Sequence, residues 1–120
     1  MSHVVAIATK VQDPVAVAAA CQRLELPAPV QGTARLYSST VTGLLVQLPD
    51  WKYPAVIDTA SGTIRYDTFE GAWGDRRHLD ALLQAYAIEV VRSESRKKGY
   101  LLTEQALADG SVKLLLQEGA

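Results

Sequence analysis

The stretch "DRRHLDALLQAYAIEVVRSESRKKG" (75–99) constrains this chain more than any other part of it. Leu79, Leu82, Leu83, Tyr86 and Val90 recur at i, i+3, i+4, i+7 and i+11, a spacing that gathers side chains on one face of an α-helix. Asp75 is placed to cap its start. Arg96, Lys97 and Lys98 fall in the last turn, where cations oppose the negative end of the helix dipole, and Gly99 suits the residue just past the end. A helix with one oily face must cover something, and the remaining sequence supplies strands.

"SHVVAIATKV" opens as a β-branched strand, with His3, Val5, Ile7 and Thr9 on one face and Val4, Ala6 and Ala8 on the other. Asp13 and Pro14 are N-cap and first-turn residues for an alanine-rich helix that reaches about Leu24 and stops before "PAP" (27–29). Its apolar stripe reads as Val15, Ala18, Ala19 and Gln22, and it is loose. "TARLYSS" and "VTGLLVQLP" read as two strands. "YPAVIDT" and "TIRYDTFE" flank "ASG", where Gly62 supplies the positive φ of a tight hairpin. "YLLTEQAL" and "SVKLLLQ", around the Asp-Gly of "ADGS", make a closing hairpin.

The expected order is therefore β-α-β-β-β-β-α-β-β in one domain, 1–120. Its class is α+β, a mostly antiparallel sheet with two helices packed on one face. The first strand-helix unit is expected to add at most one parallel pairing. The other sheet face is left to solvent or to a second copy of the chain. At 120 residues no disulfide or structural metal is needed for stability.

A net charge of −1 argues against a nucleic-acid partner, because such affinity comes largely from neutralising phosphates. The longest apolar run, "VAVAAAC", is far below the roughly 20 residues of a membrane span. No secretory leader is evident at the N-terminus. The lone Cys21 forms no internal disulfide and reads as a small core residue, which suits a reducing, cytoplasmic setting.

No nucleophile elbow, phosphate loop, paired CxxC or zinc-protease motif occurs, so no catalytic residue and no cofactor are assigned. The candidates are for binding. "Met-Ser-His" has the spacing by which a free amino terminus and His3 chelate square-planar copper(II) or nickel(II). The plainer reading of His3, a ring packed at a sheet edge, is preferred, and no metal ligand is assigned. His78 stands beside Arg76 and Arg77 in the first helical turn. That turn is either an anion site or a set of arginines paired with Asp75, Asp80 or Glu70; pairing is preferred. "YDTFEGAWGD" (66–75) concentrates Asp67, Glu70 and Trp73: carboxylates beside aromatics suit acid/base work or a divalent ion, and use as caps and packing groups is preferred. Trp51 and Tyr53 in "PDWKYP" read as an exposed aromatic pair of the kind enriched at protein interfaces.

The opening "MSH" strand, the "DP" helix start, "KYPAVIDTASGTIRYDTFEGAWG" and above all "LLQAYAIEVVRSESRKKGYLLTEQALADGSVKLLLQ" resemble one family. It is the hypothetical chloroplast reading frame thirty-five family, a domain of unknown function in small bacterial and plastid proteins. The likeness spans most of the chain, and His3 and Asp67 match the family pattern most plainly. It implies a soluble accessory in a multi-protein system whose protein partners include a ring-forming ATPase or a ferredoxin-like protein. It carries over no catalytic residue.

The first expectation is a non-catalytic binding or adaptor domain using Trp51, Tyr53 and the 66–75 loop, with self-association through a sheet face or edge. The alternative is a small-ligand or metal-handling protein, with or without catalysis, using His3, Asp67 and His78. A nucleic-acid accessory is the third reading, opposed by the charge balance.

Overall fold

A computed structural model describes residues 3–119. Seven strands and two helices follow one another as β1 (Val5–Ala8), α1 (Pro14–Arg23), β2 (Val30–Arg35), β3 (Thr40–Val46), β4 (Ala55–Asp58), β5 (Thr63–Tyr66), α2 (Arg76–Lys97), β6 (Tyr100–Ala106) and β7 (Val112–Glu118). The class is α+β and the order is the one expected. The chain divides into two compact units at the Tyr86–Ala87 bond.

In the first unit five strands form an antiparallel sheet in the order β1-β5-β4-β3-β2. Leu44 lies opposite Ile57, Ile57 opposite Ile64, and Ile64 opposite Ile7, so these side chains share one face. That face meets Val17, Ala20 and Cys21 of α1 and Leu79, Leu82 and Ala85 of α2 in a single buried core. Each fully buried aliphatic side chain contributes about 1.5–3 kcal/mol. Among the described residues the parallel pairing allowed for the strand-helix unit is not made. The hairpin-linked strands β3, β4 and β5 fill the space between β1 and β2, which end up on opposite edges.

Asp13 caps α1 as expected, its carboxylate accepting from the amides of Val15 and Ala16. The buried face of α1 differs from the expected stripe. Ala16, Val17, Ala20 and Cys21 point inward, while Val15 is 77% exposed. In a helix so rich in alanine almost any face is apolar enough to pack, so periodicity alone does not choose one. β2 begins three residues before the expected "TARLYSS" and ends at Arg35, because the Leu36 amide donates to the Ser39 carbonyl and turns the chain there.

The backbone ahead of α1 is tied to α2 within this unit. Tyr86 Oη accepts from the amides of Gln12 (3.2 Å) and Asp13 (3.1 Å). Cys21 is fully buried, and burial pushes its thiol pKa up. A thiol reagent is therefore expected to label native protein far more slowly than protein in denaturant. Equal rates would place Cys21 at the surface.

The second unit holds the last turns of α2 and the β6–β7 hairpin, which is a two-stranded sheet of its own. Gly99 (φ 72°) follows α2 and donates its amide to Arg96, the helix ending the sequence signals. Ser95, though polar, is buried and returns its hydroxyl proton to the Val91 carbonyl at 2.6 Å. Among the described residues no helix is long and apolar enough to cross a membrane.

Candidate aromatic binding surface

The loop between β5 and α2 is built on Trp51. This ring is 5% exposed, so it is a core residue and not half of an exposed pair. Its indole N–H donates to the Asp75 carbonyl at 2.9 Å, and its centroid lies 5.6 Å from that of Tyr66. Gly74 lies directly against the ring: a Cβ there would come within 2.8 Å of it. Trp51 is thus the floor on which the loop returns.

Above that floor the backbone is forced into unusual conformations. Phe69 (φ 47°), Glu70 (φ 53°) and Gly71 (φ 99°) are all left-handed. The two residues with side chains are disfavoured there by contact between Cβ and backbone. Asp67 helps to hold the turn, for its Oδ1 accepts from the Phe69 amide at 3.1 Å. Two backbone bonds close the loop, from Gly71 and from Trp73 to the Thr68 carbonyl. Asp67 is 1% exposed, and its Oδ2 has no hydrogen-bond partner among the described residues.

The result is an aromatic cluster with Trp73 at its centre. Phe69 stacks on Trp73 at 4.8 Å between centroids, Tyr37 lies at 5.4 Å, and Tyr53 meets it edge-on at 5.8 Å. Lys52 Nζ sits 4.3 Å from the Trp73 centroid, a cation–π contact, and the Lys52 amide donates to the Trp73 carbonyl. Tyr37 is 58% and Phe69 40% exposed, so the cluster presents ring surface outward. Rings that combine apolar area with polar edges and few rotatable bonds are the side chains that carry protein interfaces.

Of the nine candidates, Tyr53 and Trp73 come together directly, while Trp51 packs under Gly74 of the same loop and Asp67 braces it. Glu70 is exposed on that loop. Arg76 pairs with Asp80 at 3.0 Å and also donates to the Tyr66 hydroxyl, and Arg77 pairs with Asp75 at 3.4 Å. Both guanidiniums are therefore engaged, as the preferred pairing reading expects. His78 is half-buried and His3 exposed, and the Asp75 carbonyl accepts the His78 amide. Among the described residues no group of three His, Cys, Asp or Glu side chains is placed to hold a metal ion. The amino-terminal chelate would also need Met1 and Ser2, which lie outside the described residues.

Sequence reasoning missed Tyr37 and Lys52. Tyr37 was hidden inside a supposed strand, although the Ser38–Ser39 pair after it is a turn signal. Lys52 stands between Trp51 and Tyr53, and a cation flanked by aromatics was the available sign. No protein-family model, no curated protein and no solved structure matches this chain.

Proposed function

We propose that this chain is a non-catalytic binding domain that receives a protein partner on the Tyr37–Tyr53–Phe69–Trp73 surface. The supporting observation is the cluster itself: four rings converge on one loop, two of them open to solvent, on a backbone held by hydrogen bonds to Asp67 and Thr68. A surface of pre-positioned rings binds without ordering many flexible side chains, which lowers the entropic cost of association. The adjoining Lys52 favours a partner segment that brings a carboxylate beside its apolar groups. The resemblance noted in the sequence makes a ring-forming ATPase or a ferredoxin-like protein the first partner to assay. A cytoplasmic setting is part of this reading, supported by the single buried thiol.

The test replaces Phe69 with a photo-crosslinking phenylalanine analogue in the native cell and identifies the adduct. Trp73→Ala is then measured against that partner. The expected result is at least a tenfold loss of affinity, the size of an interface hot spot. Trp73 is half-buried at the centre of the cluster, so the affinity is measured at a temperature where far-ultraviolet circular dichroism shows the variant still folded. Absence of an adduct, or unchanged affinity in Trp73→Ala, overturns the reading.

A further inference from the structure

The second unit carries a different kind of exposed surface, a strand edge. The Leu107 amide donates to the Ser111 carbonyl at one end of the β6–β7 hairpin, and Gly119 donates to Gly99 at the other. Antiparallel ladders exchange bonds at every second residue pair. Between those ends the bonded pairs are therefore Gln105–Lys113, Thr103–Leu115 and Leu101–Gln117. By the same alternation, the N–H and C=O groups of Val112, Leu114, Leu116 and Glu118 turn to the outer edge of β7. Among the described residues no third strand pairs with that edge. The register is continuous, without a bulge, and the strand contains no proline, so the usual guards of an edge are few.

The side chains give the same message. Leu101, Leu115 and Leu116 are 61%, 45% and 51% exposed. Leu102 opposes Leu116 on one face of the hairpin, next to Leu114 and Tyr100. Beside Tyr100 and Leu116 opens a groove of about 230 Å³ whose other walls include Val90 and Val91. A lone two-stranded sheet with leucines on both faces gains stability from another strand.

We propose that this strand is β7 of a second copy of the chain, paired antiparallel about a two-fold axis at Leu115. A perpendicular two-fold requires a residue to face itself, and Leu115 is the centre that uses all seven residues of "VKLLLQE". Leu114 then faces the copy's Leu116, Lys113 faces Gln117, and Val112 faces Glu118, so no like charges meet. The parity also fits, because Leu114 and Leu116 are among the residues whose backbone groups point outward. Both hairpins merge into one four-stranded sheet. Leu102, Leu116 and the copy's Leu114 stand in a row across the face that borders the groove.

Sedimentation equilibrium on the full chain tests this. Wild type is expected to be a dimer. Leu115→Lys and Leu115→Glu, each placing like charges opposite one another on the axis, are each expected to be monomeric. An equimolar mixture of the two is expected to restore the dimer, which mere unfolding of a variant would not do. A monomeric wild type, a dimer that survives both substitutions, or a mixture that stays monomeric overturns the proposal.

Discussion

Gly62→Ala is expected to lower the stability of this protein by about 3 kcal/mol or more, read as an early urea transition in far-ultraviolet circular dichroism. A Cβ at this position would lie 2.1 Å from the carbonyl oxygen of Thr9, which no side-chain adjustment relieves because the obstacle is backbone. The residue also has φ 82°, so any L side chain adds left-handed strain to the collision. The contact matters beyond the turn. Gly62 accepts from the Thr9 amide at 3.0 Å and from the Thr9 hydroxyl, and donates to Asp58 at 2.7 Å. The same glycine therefore closes the β4–β5 hairpin and anchors the end of β1. A loss below about 1 kcal/mol would mean that this junction opens at little cost.

The second large effect separates the two tryptophans. Trp51→Ala is expected to cost about 4 kcal/mol, since it deletes a buried ring from the core and leaves a cavity. It also strips the Asp75 carbonyl of its indole donor and removes the floor beneath Gly74. Trp51→Phe keeps much of the apolar area and loses the hydrogen bond, so its cost is expected to be clearly smaller. Trp73→Ala is expected to cost less than Trp51→Ala, because Trp73 is only half-buried. Urea midpoints of the three variants, taken with equal slopes, give the ranking. If Trp73→Ala proves the most destabilising, the aromatic cluster is structural core and not a surface held for a partner.

The elements were legible because their signals are local. The heptad-like spacing of Leu79, Leu82 and Tyr86, the Asp13–Pro14 cap, and the turns that the glycines at 62, 99 and 110 permit are each set within a few residues. What escaped was every decision made by distant packing. Which alanines of α1 face inward depends on the sheet beneath. Whether β6–β7 joins the five strands depends on an edge elsewhere in the sequence. The site shows the same limit. Asp67, Tyr53 and Trp73 stood out by type and neighbourhood, whereas the burial of Trp51 comes from Gly74 and Asp75, more than twenty residues further along. Tyr37 joins the cluster only because the turn after β2 brings it there. No residue spacing encodes that meeting.

The left-handed run at 69–71 has a bearing on timing. Its conformational cost is met once, as the chain folds, and under the proposed function it would not be met again on binding. In the proposed binding role, ring faces that stay put between encounters would give capture the kinetics of a rigid latch, its speed set by diffusion and orientation and its hold set by how slowly the rings let go.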